Sequence, residues 1–256
     1  LPGEIVELNE AGEPTGIFKE TAVNAHIMQN CPPLYADDGD AKNAIRDCLL
    51  ESSKRGYTTL HAIYEFSPSS LGRARLYQEM AQEKTLPMRI NMCYCDCYEN
   101  SMGISSGLGG EMVRLSSCTF FADGAMSERT AFLSQEYADQ PGWKGCMVLD
   151  EASFCKRLER AYSLGNEVAI HIFGDAALDP ARNTQFELIH YAVTRPDQLE
   201  RMKKLPVIIN KQPIFIQAPT TLNGETKLGN LNRYYHGIKS FFDAGLCVTG
   251  GTDGPL

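Results

Sequence analysis

Apolar and polar positions along the chain follow two alternating periods. Short β-branched or apolar runs read as strands cover Tyr57–Ile63, Met88–Cys95, Cys118–Ala122, Val168–Phe173, Glu187–Ala192, Val207–Asn210 and Cys247–Gly250. Between them lie stretches with apolar residues three and four apart. Ala41–Arg55 places Ala41, Ala44, Ile45, Cys48 and Leu49 on one stripe and stops at Gly56. Leu71–Glu83, Glu151–Leu164 behind an Asp150 cap, Asp197–Lys204 and Leu231–Ala244 predict further helices. Strands alternating with helices make βαβ units and a parallel sheet. Repetition of that unit without a Gly-rich dinucleotide loop favours a (β/α)8 TIM barrel over a doubly wound sheet. Seven strands are predicted where a closed barrel has eight, so the α/β barrel is expected to be incomplete. Residues 1–256 are read as this single domain, because no Ser/Gly-rich or Pro-rich linker and no repeat interrupts them. Tyr98–Gly110, with glycines at 103, 107, 109 and 110, is either a mobile lid or a long surface connection.

Composition narrows the function classes. Of 256 residues, 43% are hydrophobic and 22% charged, the balance of a folded globular protein. The net charge of -8 argues against a nucleic-acid or anionic-membrane partner and leaves a small-molecule substrate. No apolar run approaches the roughly 20 residues a membrane-spanning helix needs. The opening LPGEIVELNE has neither the basic start nor the apolar stretch of a signal peptide. Nine scattered cysteines, an odd number, suit thiols in a reducing cytoplasm. Cys93, Cys95 and Cys97 alternate along a strand and are read as packed thiols, since no second pair completes a zinc-type spacing.

In a parallel barrel the chemistry sits at the C-terminal ends of the strands. His171 lies near the end of one predicted strand, His190 on the next, and Asp253 just after the last, behind Gly250 and Gly251. Two imidazoles and a carboxylate converging on one mouth form a metal-ligand set that leaves positions open for water. His61 is read equally as pocket lining or core. Asp123 and Asp175 each follow a strand, where a carboxylate caps the next loop or orients a ligand. Arg129, further along the loop after Asp123, is read as a solvated arginine or as one able to hold a substrate oxygen. Lys211 is the lysine at a strand end that a metal-free lyase would use to form a Schiff base.

These stretches resemble the amidohydrolase superfamily, in its YtcJ-like branch of metal-dependent hydrolases. The resemblance rests on TFFADGAMSERTAFLSQEYADQPGWKG, GNEVAIHIFGDAAL, ELIHYA, INKQPIF and FFDAGLCVTGGTDGPL, with the opening LPGEIVELNEAGEPTGIFKETA ahead of the second barrel strand. It implies a distorted (β/α)8 barrel holding one or two divalent metals, usually zinc. His171 and His190 would be ligands from the fifth and sixth strands. Asp253 would contact the metal and pass the proton. The implied reaction is hydrolysis of amide-like, non-peptide carbon–nitrogen bonds by a metal-activated water. Asp123, Arg129 and His61 are assigned to the substrate. Three departures accompany the likeness. No His-x-His pair occurs, so the first barrel strand and its accompanying β-sandwich are expected to be missing. Thr119 stands where a metal-bridging lysine would, so a single zinc ion with an incomplete ligand set is expected. The link Gly174–Gln185, about a dozen residues with Pro180 inside, is close to the minimum for a parallel crossover. Either a helix is deleted there or the sequence leaves out residues of the protein, and the abrupt end at Leu256, without a final helix, points the same way. A second reading follows: an inactive barrel fragment with a binding or structural role, whose open edges leave room for a homo-oligomer.

Overall fold

The computed structural model describes residues 4–20, 22–27, 30–32, 34–63, 70–95, 105–179, 186–217, 227–235 and 237–254. An antiparallel hairpin comes first, β1 (Glu4–Leu8) and β2 (Pro14–Glu20). Asn9 makes its turn: the side-chain oxygen accepts from the backbone N–H of Ala11 and Glu13, and Gly12 takes a φ of 80°. Sequence periodicity did not signal this hairpin. There follow α1 (Asp38–Lys54), β3 (Thr59–Ile63), α2 (Ser70–Gln82), β4 (Arg89–Cys95), β5 (Val113–Phe121), α3 (Glu151–Ser163), β6 (Glu167–Ile172), β7 (Phe186–His190), α4 (Pro196–Met202), β8 (Val207–Lys211), α5 (Ile214–Gln217), α6 (Ile238–Asp243) and β9 (Cys247–Gly250).

The seven strands β3 to β9 form one sheet whose spatial order equals their chain order. The registered pairs β3–β4, β4–β5, β6–β7, β7–β8 and β8–β9 are all parallel. Sequential order with parallel pairing is the topology of a (β/α) barrel, here with seven strands among the described residues. The predicted strands reappear with shifted ends, and Cys247–Gly250 coincides with β9.

The chain divides into two compact units. The first contains Leu1–Val23, Phe120–Arg160 and Val168–Asp253; the second contains Asn24–Thr119, Ala161–Glu167 and Gly254–Leu256. In the first, Met126, Leu133, Tyr137, Phe173, Val193 and Leu231 belong to a buried apolar cluster against which Trp143 and Phe215 pack. In the second, Leu49 of α1, Leu76 and Met80 of α2, and Ile90 and Met92 of β4 are buried. Asp37 caps α1 by accepting the Asp40 N–H, and Asp150 caps α3 through Ser153, as its position predicted.

The predicted helix Leu231–Ala244 is corrected to a 3-10 stretch, Gly229–Tyr234, and α6. Tyr235 leaves the helical path to bridge Val193, and the Tyr234 carbonyl accepts from Thr194. Tertiary pairing there outweighs local helical periodicity. Between β6 and β7 the described residues form one 3-10 turn, Ala176–Leu178. Of the predicted lid, 98–104 lies outside the described residues, and the remainder folds back on β5 through Gly107 to Leu115 and Gly110 to Val113. Cys97 also lies outside the described residues. Among the described residues no helix is long and apolar enough to cross a membrane.

Candidate active site

His171 and His190 come together at the ends of β6 and β7, where register sets Ile172 opposite His190. Their rings lie 4.7 Å apart at 80°. Apolar rings enclose them: Phe121 is 4.8 Å from His171, Phe173 stacks on His190 at 4.4 Å, and Phe215 lies 5.6 Å from His190. This surrounding disfavours the charged imidazolium, and burial pushes His171 down to about 4. His171 Nε2 sits 3.3 Å from the Gly124 carbonyl. A carbonyl oxygen can only accept, so in the neutral ring Nε2 carries the proton and Nδ1 keeps the lone pair.

The backbone is strained at this point. His190 has a φ of 69° and Tyr191 of 39°, left-handed values that side chains rarely adopt. The Tyr191 N–H donates to the Ile189 carbonyl at 3.0 Å, closing a γ-turn with His190 at its apex, the rare strained kind. The same N–H donates to the Ile172 carbonyl of β6 at 2.8 Å. Such strain persists only where surrounding structure over-determines it, and it concentrates at functional sites. Lys211, at the end of β8, is buried with Nζ 2.6 Å from the His190 carbonyl and 2.9 Å from that of Tyr191.

Asp123 is the hub that holds the end of β6. Its carboxylate accepts three backbone N–H groups: Phe132 at 2.8 Å, Phe173 at 2.9 Å and Gly174 at 2.7 Å. Burial pushes its carboxyl up to about 7, against the pull of those three donors. Two glycines permit the close approach. A Cβ on Gly174 would run into the Phe132 carbonyl, and one on Gly124 into Glu20 and Thr130. Glu20, at the end of β2 with a φ of 52°, accepts from the Thr130 hydroxyl and so reaches the loop whose Gly124 carbonyl meets His171. Sequence reasoning missed Glu20, which ends a largely polar and exposed strand and carries no distinguishing signal.

The other expected residues have surroundings of their own. Asp253 follows β9 with a φ of 61°; it is exposed as a residue, though protein atoms around its carboxyl raise it above the usual range. Arg129 forms a two-pronged ion pair with Asp139, at 2.8 and 3.1 Å. Asp175 is fully buried and pairs with Arg195 at 2.8 Å. His61, exposed in the second unit, bonds through Nε2 to Asn91 at 3.1 Å. Among the described residues no three His, Cys, Asp or Glu side chains come together closely enough to hold a metal ion. The adjacent His171 and His190 fit two positions of a divalent-metal centre and no more. Thr119 is fully buried with its hydroxyl lacking a hydrogen-bond partner, and a hydroxyl there cannot carry a bridging carbamate.

Comparisons with known proteins agree on one kinship. The profile described as "Amidohydrolase family" matches residues 2–256. YtcJ of Bacillus subtilis (strain 168), a protein named as an amidohydrolase, is 26% identical over 271 residues, covering 99% of this chain and 50% of its own. An uncharacterized metal-dependent hydrolase from Pyrococcus furiosus superposes with a TM-score of 0.75 at 25% identity, over 97% of this chain and 53% of that one. Its counterpart from Pyrococcus horikoshii gives 0.73 at 24% identity, over 97% and 52%, and speaks to the fold. The chain thus spans about half or less of the length of the curated relatives it matches.

Proposed function

Because the chain belongs to the amidohydrolase family, we propose that it carries part of the active centre of a hydrolase that cleaves non-peptide, amide-like carbon–nitrogen bonds of small molecules in the cytoplasm. The observation that carries this reading is the His171–His190 pair, two imidazoles meeting at adjacent strand ends inside an aromatic enclosure. They would supply two ligands of one divalent cation, zinc by preference; Asp253, just after the last strand, would have to be drawn to them to supply a third. When bound, such a cation supplies Lewis-acid activation of water and of the substrate carbonyl.

The chain's own residues do the remaining work. His171 offers Nδ1 while the Gly124 carbonyl holds its other nitrogen. Asp253 takes the proton on its carboxylate and returns it to the leaving nitrogen. Asp123 acts through the backbone it fastens at the end of β6. Arg129 reaches a substrate oxygen only by leaving Asp139, and His61 would contact substrate from β3. The continuous strand order from β3 to β9 supports treating residues 1–256 as one partial barrel domain. One observation favours the alternative, a binding or structural fragment that self-associates through open sheet edges: only two ligand-type side chains gather among the described residues.

Elemental analysis after dialysis against trace zinc separates the two readings. About one zinc per chain is expected in the wild type, and its loss in His171→Ala. Equal stoichiometry in both proteins would sink the metal assignment.

A further inference from the structure

We propose that Lys211 is a positioning residue for His190: its ammonium clamps the carbonyls of the left-handed His190–Tyr191 pair and thereby sets the direction of the His190 ring. The inference rests on the reading of His171 and His190 as the metal-holding pair. It also gives Lys211 a role different from the Schiff-base nucleophile that its strand-end position alone suggested.

Lys211 is 1% exposed, and among the described residues no carboxylate forms an ion pair with it. Its partners are the His190 carbonyl at 2.6 Å, the Tyr191 carbonyl at 2.9 Å and the face of Phe241 at 5.5 Å. Burial pulls the Lys211 amine down to about 7, and in either form two successive carbonyls accept from its N–H groups. Those carbonyls converge because both residues sit in the left-handed region. Neither is a glycine, so the conformation needs an external restraint.

The geometry shows what that restraint controls. The γ-turn at His190 ends β7 and sends the two neighbouring side chains apart. The Tyr191 ring enters the core, where its hydroxyl donates to Gln198 at 2.9 Å. The His190 ring goes to Phe173 and His171. Without Lys211 both carbonyls would lose the donor that draws them together. The turn could then relax toward extended backbone, and a change of φ at His190 swings its ring away from His171, because strand side chains alternate between faces. Lys211 is itself fixed by β8, whose last carbonyl accepts from the Gly251 N–H at 2.8 Å. The clamp therefore ties the position of His190 to the β8 end of the sheet.

The test uses the 256-residue chain with Lys211→Met, which removes every donor, and Lys211→Gln, which keeps one amide donor. Imidazole signals of the metal-free proteins are followed by NMR with isotope-labelled histidine, His190 being assigned through His190→Gln. Lys211→Met should displace the His190 ring signal and leave that of His61 in place. It should also weaken zinc affinity about 10-fold to 100-fold, with Lys211→Gln between it and the wild type. A folded Lys211→Met protein whose His190 signal and zinc affinity match the wild type overturns the proposal. Loss of stability alone, with the ring signal unmoved, overturns it too. Should neither variant fold, the unaltered chain decides: the clamp requires Lys211 ammonium protons protected from exchange, and rapid exchange refutes it. If the wild type binds no zinc, the metal reading fails, while the ring signal still tests the clamp.

Discussion

The β3–β4 and β6–β7 regions begin from the same ingredients and end differently. Each is a parallel pair with a histidine on its first strand, His61 facing Asn91 and His171 facing Ile189 across the ladder. In the first pair the polar side chains satisfy one another sideways: Asn91 Nδ2 meets His61, Arg114 donates to Asn91, and Arg89 donates to Thr59. No described residue of β3 or β4 has a positive φ. In the second pair the histidine meets aromatic rings and a second histidine, and the strand ends are held by a buried carboxylate and a buried lysine. A histidine on a barrel strand thus becomes site-like through what restrains the backbone beside it. Its place in the alternation is shared by surface histidines.

The comparison breaks most visibly at Asp123. Asp123→Ala would orphan three backbone N–H groups and should cost about 3–5 kcal/mol in urea unfolding. A loss below about 1 kcal/mol would mean that the β6 end does not depend on this hub.

The next effect is one of pH. His171 is held near 4 in the folded chain, below its ordinary 6.5. As pH falls, the unfolded chain takes up that proton first, so stability is lost between pH 6.5 and about 4, by roughly 3 kcal/mol at most. Asp123 acts with the opposite sign, because its raised value favours the folded state toward low pH. The wild-type-minus-His171→Gln difference in chelator-treated protein isolates the histidine, and it should shrink across that window. A flat difference would place the His171 ring in solvent.

The smallest expected effect sharpens the contrast from the other side. His61→Ala should change stability by less than about 0.5 kcal/mol, since the side chain is exposed and its bond to Asn91 is lateral. Zinc content should stay at the wild-type level in the same protein. Loss of zinc would put β3 in the site and erase the distinction between the two regions.

Much of this arrangement is legible in the residues. Apolar runs marked all seven sheet strands, and Asp150 marked the start of α3 because an N-cap acts within three residues. His171 and His190 were recognisable because each closes an apolar strand. The hairpin of β1 and β2 escaped because its strands are largely polar and exposed and offer no clean alternation. The break in Leu231–Ala244 escaped because Tyr235 is drawn off by Val193, some forty residues earlier in the chain.

What the sequence by itself determined is the order of the sheet strands, the barrel topology and the placing of two histidines at strand ends, all consequences of local periodicity and of which residue ends a strand. Only the tertiary structure decided that His190 stands at the apex of a γ-turn, that Asp123 serves three backbone donors, that Arg129 is engaged by Asp139, and that Lys211 points at two carbonyls. Each of these depends on a partner far along the chain meeting a buried polar group. The need to satisfy such groups is met in space, where sequence separation carries no weight.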